Sequence, residues 1–145
     1  MKKAEVLLVD DNPADLDLAR DLLAADQYAR QISAVTDGEA AVAFLRQDGK
    51  YASARTPDLI ILDLNLPRKN GWQVLEEVKS DPKLRSTPVV IFSTSEASHD
   101  IGGCYRLGAN SYVRKPGTLQ EFISVISSIG EFWFQYAQLP CKEER

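Results

Sequence analysis

A chain of 145 residues, 44% apolar and 26% charged, matches the composition of a globular domain and the length of one, which excludes a disordered chain, a fibre and a pair of folded units. Its net charge of −4 argues against direct nucleic-acid binding, which normally needs a basic face to neutralise phosphates. No apolar run approaches the roughly 18 residues that span a bilayer, and Met1-Lys2-Lys3 leads straight into a short strand-like run instead of a signal-peptide core, so a cytoplasmic protein without membrane contact is expected.

In chain order, Val6-Leu7-Leu8-Val9 opens the pattern: short, continuous and mostly branched, as in a strand buried on both faces. Asn12-Pro13 then offers an N-cap with proline at the first helical position, and Leu16, Ala19 and Leu23 recur at helical spacing. A weaker strand run, Ile32–Val35, follows. Thr36-Asp37-Gly38-Glu39 reads as a capping box for a second helix carrying Ala40 and Phe44. From Gln47 to Pro57 there is no periodicity, and Asp, Gly, Lys, Ser and Pro collect there as in a surface loop.

Leu59-Ile60-Ile61-Leu62 and Val89-Val90-Ile91-Phe92 give two more buried strands, and Ser111–Val113 a weaker fifth. Gly71 is expected to permit a tight turn, and Gly102-Gly103 to weaken the start of the fourth helix. Thr118-Leu119-Gln120-Glu121 repeats the capping box before a long last helix, where Phe122, Val125 or Ile126, Ile129, Trp133 and Tyr136 recur every three or four residues. Cys104 and Cys141 form no close pair and read as a packing thiol and a tail thiol. With His99 as the lone histidine, placed in the exposed loop after the fourth strand, a zinc centre is excluded.

Five alternating β/α units call for a mainly parallel sheet with helices on both faces, since parallel strands need right-handed crossovers. The expectation is a flavodoxin-like (βα)5 doubly wound fold with strand order 2-1-3-4-5, whose ligands bind outside the carboxyl ends of strands 1 and 3. Asp10-Asp11 end strand 1 and Asp63 ends strand 3. Three carboxylates at one rim repel one another unless a cation joins them. Mg²⁺ suits oxygen donors and often shares its shell with phosphate. Taken singly, one of the pair could cap the first helix, and Asp63 could be a turn residue. Strand 4, however, ends in Ser93-Thr94-Ser95 and strand 5 in Arg114-Lys115-Pro116, which brings further chemistry to the same edge.

These residues carry a resemblance that covers nearly the whole chain. The acid pair Asp10-Asp11, Asp63 within Leu-Asp-Leu-Asn-Leu-Pro, then Pro67, Gly71, Ser93, Tyr112 within Gly-Ala-Asn-Ser-Tyr, and Lys115-Pro116 are spaced as in the CheY-like receiver domain of two-component response regulators. The resemblance implies that Asp63 is the phosphoacceptor nucleophile. Asp11, Asp63 and the backbone carbonyl of Asn65 would hold Mg²⁺, with Asp10 acting directly or through water. Lys115 would meet a phosphoryl oxygen. Ser93 would be drawn to the phosphoryl group while Tyr112 swings inward, a two-state switch biased by a new dianion. A cis peptide between Lys115 and Pro116 is also implied.

The reading is therefore a phosphorelay domain that catalyses its own phosphorylation and dephosphorylation and is no other enzyme. It occupies residues 1–145, with a core over about 4–131 and an extended helix and tail over 132–145, and carries no output domain. The loop 47–57 and Phe132-Trp133-Phe134 resemble single-domain regulators paired with phytochrome kinases, so the expected partners are a sensor histidine kinase of the bacteriophytochrome kind and a second copy of the chain through the helix 4, strand 5 and helix 5 face. A flavin module is disfavoured because no Gly-rich phosphate loop follows strand 1. An aspartate-dependent phosphatase normally needs a second aspartate where this chain has Asn65. A pseudo-receiver would lack reactive residue types that are all present here.

Overall fold

The computed structural model describes residues 3–140, apart from the side chain of Arg30; Cys141 lies outside them. Five strands, β1 (Ala4–Val9), β2 (Ala29–Val35), β3 (Leu59–Leu62), β4 (Val89–Ser93) and β5 (Ser111–Arg114), alternate with α1 (Pro13–Ala24), α2 (Gly38–Arg46), α3 (Gly71–Ser80), α4 (Ser98–Arg106) and α5 (Leu119–Gly130). All pairings are parallel and the order is β2-β1-β3-β4-β5, the expected doubly wound sheet.

Residues alternate across each strand, so both faces of the sheet are apolar. Leu7, Val9, Ile60, Leu62 and Ile91 face Ala41, Leu45, Val74, Leu75, Val78 and Cys104 of α2, α3 and α4. On the other face Val6, Leu8, Ile61, Val90 and Phe92 meet Leu16, Ala19 and Leu23 of α1 and Phe122, Ile126 and Ile129 of α5. Cys104, in the first of these layers, is the packing thiol expected: it is fully buried, and desolvation with the nearby Asp100 charge pushes its pKa up to about 11, so it stays a thiol at neutral pH.

Several local expectations shift by a residue or two. The cap of α2 is Asp37, whose side chain accepts from Ala40 N–H at 2.7 Å; Thr36 is displaced because either adjacent residue can cap and only Asp37 faces the first turn. The most buried face of α2 is Ala41, Val42 and Leu45, with Ala40 and Phe44 packed at its margin. Within 47–57 a single 3₁₀ turn, Gly49–Tyr51, stacks Tyr51 against Phe44 with ring centroids 5.4 Å apart. The reciprocal capping box forms instead on α3, between Asn70 and Gln73. Gly102 and Gly103 lie in the middle of α4, and His99 lies exposed in its first turn.

The last helix does not continue as an α-helix. Glu131–Tyr136 is π-helical, closed by an Ala137 N–H bond to the Phe132 carbonyl at 2.7 Å. That five-residue step turns Phe134 into the core and leaves Tyr136, expected on the packed face, 68% exposed. No helix among the described residues is long and apolar enough to cross a membrane.

Candidate functional site

Parallel strands end their C-termini on one rim, and β1, β3, β4 and β5 deliver Asp10-Asp11, Asp63, Ser93 and Lys115 there. Asp10 and Asp63 are buried and Asp11 is exposed at the mouth. One carboxylate oxygen from each of the three lies within 4.8 Å of the others. Backbone amides hold the acids in place. Asp10 Oδ1 accepts from Asn12 N–H at 2.9 Å, and Asp63 Oδ1 accepts from Leu64 N–H at 2.7 Å. The Oδ2 atoms are left facing the cluster.

Lys115 is the counter-charge. Its Nζ lies 2.6 Å from Asp10 Oδ2, 2.9 Å from Asp63 Oδ2 and 3.1 Å from Asp15 Oδ2. An ammonium has three N–H donors, and three carboxylates take them. Burial alone would lower the lysine's pKa, but its hydrogen bonds to Asp10 and Asp63 outweigh that and raise it. Asp10 is raised in turn, chiefly because burial penalises its charge, with Lys115 and the Asn12 amide opposing. Phe92 backs the ammonium, its ring centroid 5.8 Å from Nζ. One ammonium leaves the surrounding carboxylates net negative. An all-oxygen donor set with excess negative charge fits a divalent cation.

The remaining expected residues lie close by. Ser93 is fully buried, and its carbonyl accepts from Lys115 N–H at 2.8 Å. Tyr112 is half-buried, its hydroxyl donating to the Ser95 carbonyl at 2.9 Å; burial raises its pKa, opposed by hydrogen bonds to Ser95 and Ser93. Asn65 is exposed on the loop after Asp63, and the Pro67 carbonyl accepts from Gly38 N–H at 3.5 Å. Gly71 does not serve a left-handed turn: a Cβ there would overlap the Asp63 carbonyl and the Leu64 Cα, so it permits close approach of α3 to the acidic loop. The Lys115–Pro116 peptide is trans, as are all peptides among the described residues. This corrects the expected cis bond. Lys115 reaches its carboxylates from the trans geometry, which X–Pro bonds intrinsically favour by about 0.5–1 kcal/mol.

Two contributors escaped the sequence reading. Asp15 stands at the third position of α1, where any acid complements a helix N-terminus, so nothing marked it as a lysine partner. Phe92 read only as the last apolar residue of β4.

Sheet order and a carboxylate–lysine cluster at the switch point together define a flavodoxin-like signalling domain of the receiver class. The chain belongs to the response regulator receiver domain family, whose profile matches residues 6–127. It is a two-component response regulator similar over nearly its full length to phytochrome response regulators. Response regulator Rcp1 of Synechocystis sp. is 38% identical over 93% of this chain and 92% of its own. The phosphorylated cyanobacterial phytochrome response regulator RcpA superposes with a TM-score of 0.93 at 45% identity, covering 96% of this chain and 99% of that one. The Mn²⁺-bound form of Rcp1 gives 0.92 at 38% identity, covering 95% and 99%. That bound ion and the acidic cluster here both point to a divalent-cation site.

Proposed function

We propose that Asp63 accepts a phosphoryl group from the phosphohistidine of a sensor histidine kinase, with Mg²⁺ at Asp10, Asp11, Asp63 and the Asn65 carbonyl. A carboxylate oxygen of Asp63 forms the new O–P bond as the P–N bond breaks, and the ring leaves as neutral imidazole, keeping the bond's electron pair on one nitrogen and the proton its other nitrogen already carried. Bound Mg²⁺ supplies electrostatic stabilisation of the charge on the transferring group. Lys115 adds a fixed positive charge 2.9 Å from Asp63 Oδ2, and this buried pairing inside an acidic cluster is the observation that carries the reading. Once the phosphoryl group is in place, its oxygens recruit Lys115 and the Ser93 hydroxyl, and Tyr112 responds to the displaced Ser93. Hydrolysis of the acyl phosphate at the same site resets the domain.

The reading takes residues 1–145 as one receiver domain acting in the cytoplasm through protein contacts and without nucleic acid. Its kinase is of the bacteriophytochrome kind, a reading supported by its similarity to phytochrome response regulators, and a second copy of the chain meets the α4, β5 and α5 face.

Incubation with acetyl phosphate and Mg²⁺ should add one phosphoryl group by intact mass to the native chain and none to Asp63→Asn. Chelation should abolish the addition. Equal labelling of the two proteins would overturn Asp63 as the acceptor.

A further inference from the structure

We infer that Asp15 is a positioning residue for the phosphotransfer, holding Lys115 in place when its other two carboxylate partners are engaged elsewhere. This deepens the proposed function and rests on it. The observation is the threefold saturation of the lysine: Asp10, Asp63 and Asp15 lie 2.6, 2.9 and 3.1 Å from Nζ. These three partners do not have the same duties. Asp10 and Asp63 belong to the carboxylate group that can hold a metal ion, and Asp15 does not. Asp63 is also the acceptor, so its lysine-facing oxygen environment changes when phosphoryl arrives. In the reacting state, then, two of the three anchors have other work. Asp15 alone keeps its full carboxylate for the ammonium.

The geometry of Asp15 suits that duty. Its backbone N–H is bound by the Asn12 side chain at 3.1 Å, which fixes the first turn of α1, and Pro13 at the start of the helix stiffens the same turn. The carboxylate therefore projects from a rigid element, not from a mobile loop. Lys115 itself follows the edge strand β5, far away in sequence, so the pair ties the start of α1 to the segment leading into α5. Charge-assisted hydrogen bonds of this kind fix both distance and direction, and phosphoryl transfer depends mostly on placing charge correctly.

The test compares the native chain with Asp15→Ala, Asp15→Asn, Lys115→Met and the Asp15→Ala/Lys115→Met double variant. Initial labelling rates are measured against acetyl phosphate concentration with Mg²⁺. Asp15→Ala should lower the limiting rate about tenfold, with the half-saturating donor concentration changed less than about twofold, because the lost interaction belongs to the transition state. Asp15→Asn keeps an oxygen acceptor and should recover part of the rate, and Asp15→Ala should cost nothing further once Lys115 is Met. Simple removal of a negative charge predicts otherwise: Ala and Asn alike would strengthen donor binding at low salt. That outcome, or a native limiting rate in Asp15→Ala, would overturn the inference. A second reading is independent of activity. Urea unfolding of the same proteins in chelator should show non-additive effects of the 15 and 115 substitutions, and strict additivity would also overturn the pairing. If the native chain takes no label while the coupling holds, the phosphoacceptor reading fails and the Asp15–Lys115 contact stands.

Discussion

Asp10 shows how a reactive site strains the stability of the fold that carries it. Its folded pKa is raised, mainly by burial, so the folded chain binds that proton more tightly than the unfolded chain does. The stability this group contributes is present below the ordinary value of 3.8 and lost as pH rises through the raised value. At neutral pH the ionised carboxylate is therefore a liability, even beside Lys115. Asp10→Asn should raise the unfolding free energy at pH 7 in chelator, and the two proteins should converge as the pH falls below 3.8. Asn keeps the oxygen that accepts from Asn12, and Lys115 retains Asp63 and Asp15. Adding Mg²⁺ should reverse the ranking, because a ligand that binds only the folded state stabilises it in proportion to its affinity and Asp10→Asn loses part of the ligand set. Urea titrations with and without Mg²⁺ check both signs; a less stable Asp10→Asn in chelator contradicts the cost assigned to the charge. Lys115 has the same sign, since its pKa is also raised, but a much higher window: the stability it contributes is complete below 10.5 and declines only in more alkaline solution.

At the level of elements, glycines separate sites that need space from sites that do not. In α4, a Cβ at Gly102 would meet only the flexible end of Arg106 at 3.2 Å, whereas at Gly103 it would press on the Trp72 ring at 2.9 Å. Gly102→Ala should stabilise the chain by about 0.5–1 kcal/mol through helix propensity alone. Gly71→Ala should destabilise it by about 1–3 kcal/mol, the usual cost of overpacking, because the obstruction is backbone that cannot rotate away. Chemical denaturation distinguishes the two, and a neutral Gly71→Ala would remove the close-approach argument. The same elements explain what could be read without coordinates. Apolar runs such as Leu59–Leu62 announced the central strands because burial on both faces leaves no polar position. Strand ends announced Asp10, Asp11, Asp63 and Lys115 because a parallel sheet sends all its C-termini to one rim. Asp15 and Phe92 were illegible because a first-turn acid and a strand-end aromatic both have ordinary structural roles. Adjacent Thr36 and Asp37 are both competent caps, so only packing chooses. The π segment was missed because a period of 3.6 was carried past Gly130.

For the whole molecule, that π segment decides which surface remains to be covered. A continued α-helix would have placed Tyr136 on the packed stripe with Trp133, which does pack against the core. The wider turn instead buries Phe134 and sends Phe132 outward, 52% exposed, against the edge of Trp133 at 5.2 Å between centroids. Beside it, Val113, Val125, Ile129 and Trp133 line an open apolar groove along β5 and α5, and Ile123 is 37% exposed on the same helix. Contiguous apolar surface of this kind is what protein contacts cover, and aromatic side chains near the centre of an interface carry a large share of its energy. A two-fold dimer uses the same patch twice, so a single substitution there counts at two places in one complex. Phe132→Glu should therefore weaken self-association by about 1,000-fold, since a hot-spot residue of about 2 kcal/mol is lost at both places and each 1.4 kcal/mol is tenfold, while leaving the unfolding midpoint of the monomer nearly unchanged because Phe132 is outside the core. Small-angle scattering at high micromolar concentration, with and without phosphorylation, should give a dimer mass for the native chain and a monomer mass for the variant. A monodisperse native monomer in both states would overturn the assignment of this face to a second copy, and the groove would then have to be covered by a different protein.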